Sequence, residues 1–162
     1  MGWITLSLRK QVLTQRVSQL EHRLTKLSQE QQSLANSSSY TERVIGLEKK
    51  EAYSEIIQQH SDQLNTVFGN YSASSGASIA DLANYNVQLQ ESELTYIYNQ
   101  ALVDSIFTQK EQALQDEVNT KQTYLELEQE QVETQLEAAR AELEQLGEAI
   151  SQDIKSSTIS LT

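Results

Sequence analysis

Between Ile79 and Leu146 the chain carries neither glycine nor proline, the two residues that most readily end a helix. One helix is free to run the whole distance. At 1.5 Å per residue it would span on the order of 100 Å, several times the diameter of a compact domain of this mass. Such a helix cannot bury its own apolar side chains and must lie against other helices. Asp81 falls in its first turn, where a carboxylate favours the helix dipole. The remainder of the chain has the same bias, with no proline, five glycines and many Gln, Glu, Leu and Ala. An apolar fraction of 38% over 162 residues is low for a compact core, so a thin core is expected. The predicted fold is all-α: an elongated antiparallel helical hairpin or coiled coil with one very long C-terminal helix.

The N-terminal arm, residues 1–68, supplies the other side of that hairpin. Leu6, Leu13, Val17, Leu20, Leu24, Leu27 and Leu34 follow steps of three, four or seven, with Lys10 and Gln31 in the skipped positions. This is a heptad seam on one helix face. Asn36-Ser37-Ser38-Ser39-Tyr40 interrupts it with side chains that compete for their own backbone, so a break is predicted near 36–41 with Thr41 capping a new helix. Val44, Leu47, Tyr53, Ile57, His60, Leu64 and Val67 resume the stripe. Residues 69–78, with two glycines and four serines, are predicted to be the hairpin loop. The long helix then occupies 79–155, and 156–162 reads as a frayed tail.

Along the long helix, Leu82, Leu89, Tyr96 and Val103 recur every seven residues, with Leu94, Ile97, Ile106 and Phe107 beside them. That concentration, with Tyr85 and Tyr98 nearby, predicts contact with more than one neighbour and makes these eight residues the candidate protomer interface, the alternative for the aromatic residues Tyr85, Tyr96, Tyr98 and Phe107 being hairpin core. Further on, Leu114, Val118, Leu125 and Val132 continue a seam weakened by Lys121 and Glu128. Leu136, Ala139, Leu143, Leu146 and Ile150 restore it after a four-residue step, which predicts local unwinding. The hairpin seam is therefore expected to join Leu13, Val17, Leu20, Leu24 and Leu27 to Val118, Leu125, Val132, Leu136 and Leu143.

Charge sets the alignment. The chain carries a net −11, yet residues 1–26 hold Arg9, Lys10, Arg16, Arg23 and Lys26 against the single acid Glu21. Residues 111–153 hold twelve acids against Lys121 and Arg140. Folding back at Ala73 and Ser74 places residue i opposite 147 − i. Arg9, Lys10, Arg16 and Arg23 are then predicted to run beside Glu126, Glu128, Glu130, Glu133 and Glu137. Exposed pairs are too weak to hold the arms together but favour one register over others.

Several functions lack their chemistry. A net negative charge disfavours nucleic-acid binding, which draws on clustered cations. There is no cysteine, so neither a disulfide framework nor a thiolate centre is expected. His22 and His60 stand too far apart in sequence for a helical metal pair, and His60 fits the apolar stripe as a half-buried structural residue. The glutamates of 126–148 read as a solvated helix face, since acid–base work needs a concave, partly dry pocket. No phosphate loop, dinucleotide fingerprint or nucleophile elbow occurs. Catalytic residues, cofactors, metal sites and a small-molecule substrate are therefore not expected.

Asn36-Ser37-Ser38 and Asn70-Tyr71-Ser72 match the glycosylation pattern but read as loop chemistry. Leu6 stands where acylation after Met-Gly would want Ser or Thr. Charge follows the first apolar residues too soon for a cleavable signal, and no apolar run reaches the length of a membrane span. The expected locations are the cytoplasm, the exterior by a leaderless route, or a virion.

The lack of Cys and Pro, a single Trp, coiled-coil arms at both ends and a short polar turn together resemble the flagellin core and the filament proteins of type III secretion systems. Flagellins place a large variable domain where this chain has ten residues, so the resemblance concerns the core and carries no residue's role over. It implies a structural subunit that assembles with copies of itself into a filament, a tube or a virion-type shell. The alternative is a cytoplasmic coiled-coil adaptor or secretion chaperone that binds another helical protein along its seam, with Lys121 and Glu128 choosing the partner.

Overall fold

The computed structural model describes residues 2–73 and 78–159. Among them are two helices, α1 (Trp3–Ala73) and α2 (Ile79–Ile159), of 71 and 81 residues, and no strand. The chain is the predicted helical hairpin with a long C-terminal helix.

Each helix start has its own local cause. Thr5 donates its amide to the Gly2 carbonyl at 2.9 Å and its hydroxyl to the same oxygen at 3.1 Å. Ser78 is the N-cap of α2: its Oγ accepts the Asp81 amide at 3.1 Å and donates to Asp81 Oδ2 at 2.6 Å. The serine hydroxyl thus satisfies one amide that the first turn leaves unpaired, and the Asp81 carboxylate accepts from that hydroxyl and holds it in place.

Three expected boundaries move. The break at 36–41 is absent, and α1 passes through Asn36-Ser37-Ser38-Ser39-Tyr40 as continuous helix. Thr41 is not a cap, because its hydroxyl donates back to the Ser37 carbonyl at 2.9 Å, four residues earlier. Serine and asparagine cost only about 0.5 kcal/mol each in a helix, which the flanking packing of Leu34 and Ile45 overrides. The predicted loop is also shorter, because Gly69–Ala73 belong to α1 and residues 74–77 lie outside the described residues. Tyr71 packs on Tyr85 with ring centroids 4.5 Å apart, fastening the last turn of α1 to the start of α2. Finally, α2 runs on to Ile159, so most of the expected tail is helix and 160–162 lie outside the described residues.

Contacts divide the hairpin into two units, Met1–Asn36 with Val118–Thr162, and Ser37–Glu117. The polar run at 36–41 thus marks a change in packing without interrupting the helix. In the first unit Leu13, Leu20, Leu27 and Leu34 on α1 meet Leu125, Val132, Ala139 and Leu146 on α2. Leu27 has no exposed surface and packs in one cluster with Leu125 and Val132, flanked by Leu20, Leu24 and Leu34. Past Val132 the buried row continues without a change of period, Val118, Leu125, Val132, Ala139 and Leu146 standing seven residues apart.

The second unit buries less aliphatic surface. Ile45 and Ile56 of α1 and Phe107 of α2 are its buried apolar side chains. On the turn side of these residues the helices are joined by a polar layer built on His60, Ser92 and Tyr96.

Candidate functional site

The side chains that chemistry would use most readily are those of that polar layer. The His60 ring stacks on Tyr96 with centroids 4.4 Å apart and planes 18° from parallel. Its Nδ1 lies 3.3 Å from Ser92 Oγ, and its Nε2 lies 3.6 Å from Glu93 Oε1. Ser92 also donates to Gln63 Oε1 at 3.4 Å, and Gln100 Nε2 donates to the Tyr96 hydroxyl at 2.8 Å. Serine, histidine and a carboxylate in sequence invite comparison with a nucleophilic triad. The surroundings argue for another role. Ser92 is only 6% exposed and sits inside a helix, where backbone amides are already committed and cannot form an oxyanion hole. The layer satisfies buried polar atoms across the hairpin and holds one register.

A second polar contact lies in the same unit. The Tyr53 hydroxyl donates to Asp104, whose carboxylate also lies 3.5 Å from Lys49 Nζ. Donation to Asp104, more than burial, raises the pKa of Tyr53 above the ordinary phenol value, because ionisation would set one anion beside another. Lys110 bonds Glu48 at 2.8 Å and sits over the Phe107 ring, 4.9 Å from its centroid.

In the first unit, Arg9 Nε and Arg23 Nε donate at 2.8 Å to Glu142 and Glu128, and Arg140 donates to Glu21 at 2.7 Å. Glu128 above all, with Glu30 at 3.3 Å from Arg23 Nη1, raises the Arg23 pKa above its usual value. Basic arm does meet acidic arm, but the predicted alignment is shifted. Arg9 and Arg23 face acids four residues beyond the expected positions, and Glu21 faces Arg140 fourteen beyond. The common four-residue shift goes with the longer α1, which stays helical to Ala73. Among the predicted partners, Glu128 alone pairs with an arginine. Glu126 and Glu133 accept from Gln122 and Gln129 on their own helix, Glu130 and Glu137 are exposed, and Lys10 and Arg16 have no ion-pair partner among the described residues.

All ten predicted hairpin-seam residues are buried or half-buried: Leu13, Val17, Leu20, Leu24, Leu27, Val118, Leu125, Val132, Leu136 and Leu143. The candidate protomer interface splits in two. Leu89, Tyr96, Val103 and Phe107 turn inward and belong to the hairpin itself. Leu82, Leu94, Ile97 and Ile106 remain exposed, Leu94 by 67% and Ile97 by 57%.

Of these exposed residues Leu94 belongs to a row that the seven-residue count from Leu82 did not follow. Ala80, Ala83, Val87, Leu94, Tyr98 and Ala101 advance by steps of three, four and seven on the face opposite the hairpin contact. Ile97 and Leu102 flank them. From Ile79 to Val103 the only charged residues are Asp81, Glu91 and Glu93. α2 therefore carries two heptad seams, of which α1 covers one. The recurrence of Val87, Leu94 and Ala101 every seven residues was visible in the sequence.

Among the described residues no three His, Cys, Asp or Glu side chains converge to hold a metal, and no helix is long and apolar enough to cross a membrane. An open groove of about 460 Å³ lies beside Leu6 and Arg9 and is bounded on the other side by Glu142 and Leu146. Compared with known proteins, the chain matches no protein family, no curated protein and no solved structure.

Proposed function

We propose that this chain is a structural subunit that assembles with copies of itself through helical seams, into a filament, tube or virion-type shell. The observation that carries this reading is the second seam of α2, the row from Ala80 to Ala101. A heptad row of apolar side chains on a solvent-facing helix, with three charges in 25 residues, is costly to leave exposed and suited to another helix. Small residues at Ala80, Ala83 and Ala101 let a neighbouring backbone approach, and Leu94 and Tyr98 supply the area. In this reading the helical arms do the assembling, as in the flagellin-core and type III filament proteins that the sequence resembles.

Purified protein examined by light scattering and negative-stain microscopy is expected to form regular polymers. Replacing Leu94 and Tyr98 by Asp should return it to small discrete species with helical circular dichroism unchanged, because neither side chain serves the hairpin. The same change at Leu89 and Tyr96 should instead lower helicity. A wild-type protein that stays monomeric or dimeric at all concentrations would overturn the proposal.

A further inference from the structure

The basic beginning of α1 is only partly used by the hairpin. Arg9 pairs with Glu142, but Lys10 and Arg16 are exposed without an ion-pair partner among the described residues, and no acid precedes Glu21. Leu6, Leu13 and Val17 turn inward. On the outer face Ile4, Leu8 and Val12 follow one another by steps of four, and Trp3, 100° round from Ile4, stands at the border between that face and the seam. These four are exposed by 53 to 64%. Ser7, Gln11, Thr14 and Gln15 fill the rest of that face, which holds no charge. At 100° per residue, Lys10 falls at the Trp3 edge and Arg9 and Arg16 at the Val12 edge.

We propose that the Trp3, Ile4, Leu8 and Val12 face, edged by Arg9, Lys10 and Arg16, docks α1 onto an anionic lipid surface, with the helix lying in the interfacial plane. Charge complementarity selects this occupant. An uncharged apolar arc bordered by cations, with a tryptophan at its rim, is the pattern of interfacial helices, whose long basic side chains reach headgroups while the apolar arc enters the acyl boundary. The spacing separates a plane from a partner helix. A coiled-coil seam alternates steps of three and four, whereas Ile4, Leu8 and Val12 repeat four and sweep 80° around the helix. A plane accepts so wide an arc.

The net −11 of the chain does not oppose this contact. In the same unit Glu137, Glu144 and Glu148 project from the exposed side of α2, about half a turn from the buried Ala139 and Leu146 row. They stand on the far side of the hairpin, roughly 20 Å or two helix diameters from the docking face. The screening length at physiological salt is about 8 Å, so the lipid meets chiefly the cations.

Trp3 is the only tryptophan, so its fluorescence reports on this face alone. Full-length protein should cosediment with vesicles of phosphatidylcholine and phosphatidylglycerol, with Trp3 emission shifted to the blue, and should do neither with phosphatidylcholine alone. Leu8→Glu with Val12→Glu should weaken binding at least about tenfold, given the apolar area withdrawn. Lys10→Glu with Arg16→Glu, at exposed positions without an ion-pair partner among the described residues, should weaken it by a similar factor and flatten its salt dependence. Circular dichroism checks that both variants remain helical, and the charge variant decides the matter if the apolar one does not. Unchanged emission with the anionic vesicles would overturn the proposal, as would vesicle binding that leaves Trp3 unshifted. A concentration-dependent blue shift in lipid-free buffer, with no further change on adding vesicles, would assign the face to a second copy of the chain and overturn it equally.

Discussion

Leu27 is the most completely buried side chain of the first unit, and its loss should be felt accordingly. Leu27→Ala is expected to cost about 2 to 5 kcal/mol, the range for a leucine whose cavity cannot fully collapse, read as a lowered urea midpoint. Gly46 points the other way. A β-carbon there would meet nothing within 4 Å, so Gly46→Ala should stabilise the helix by about 1 kcal/mol by removing backbone freedom from the unfolded chain. A loss of stability or of assembly at that position would mean that another chain packs against it. Tyr53 makes the pH-dependent contribution. Its folded pKa is raised, so the bond to Asp104 stabilises below the ordinary phenol pKa of about 10 and is lost as pH rises through the folded value. The stability advantage of wild type over Tyr53→Phe should therefore hold at neutral pH and vanish in strong alkali. Ultraviolet titration of the two proteins, taken as a difference, should show Tyr53 ionising above the ordinary phenol value.

At the scale of the helix, Ser78 shows how a single cap positions a whole element. Removing its hydroxyl with Ser78→Ala should cost about 1 kcal/mol, and Asp81 should then lose its reciprocal bond as well. Far-UV circular dichroism during thermal melting checks this. The sequence revealed α2 readily, because a long run without Gly or Pro leaves helix as the default and Asp81 marks its start. The hairpin seam was equally legible, since Leu13, Leu20, Leu27 and Leu34 repeat every seven residues and apolar burial enforces that period. The end of α1 was not. Gly69-Asn70-Tyr71-Ser72-Ala73 has the composition of a loop, whereas the packing of Tyr71 against Tyr85, a contact between residues brought together by folding, favours helix there. The polar run at 36–41 misled for a related reason, its local cost being small beside the packing on either side. The two faces of α2 were superposed in sequence as one apolar stretch. Which of the two α1 covers, that of Leu89 and Tyr96 or that of Leu94 and Tyr98, needed the register of the partner helix.

For the molecule as a whole, register is a contest between a seam that repeats every seven residues and therefore tolerates slippage, and charges that do not repeat. The acids outnumber the bases in both units, twelve to four in Ser37–Glu117 and eleven to eight in the other. Most acids must therefore face solvent, and the few arginines choose which acids they neutralise. Arg9 with Glu142 and Arg23 with Glu128 sit at one common offset, fourteen residues apart on each helix, which is two heptads. Arg9→Glu with Arg23→Glu would place like charges at both points and so penalise this alignment against one slipped by a heptad. The thermal midpoint should fall at low ionic strength, where the screening length is about 30 Å, and recover toward wild type near 1 M salt, where it is about 3 Å. Lys10→Glu with Arg16→Glu should leave the midpoint nearly unchanged at either salt, because those cations have no acid to lose. A fall for the arginine variant that is equal at both ionic strengths would mean that the arginine stems, packed along the seam, matter more than their charge. Register would then rest on the apolar seam and on the His60 and Tyr96 layer alone, and truncating Tyr96 should let the helices slip.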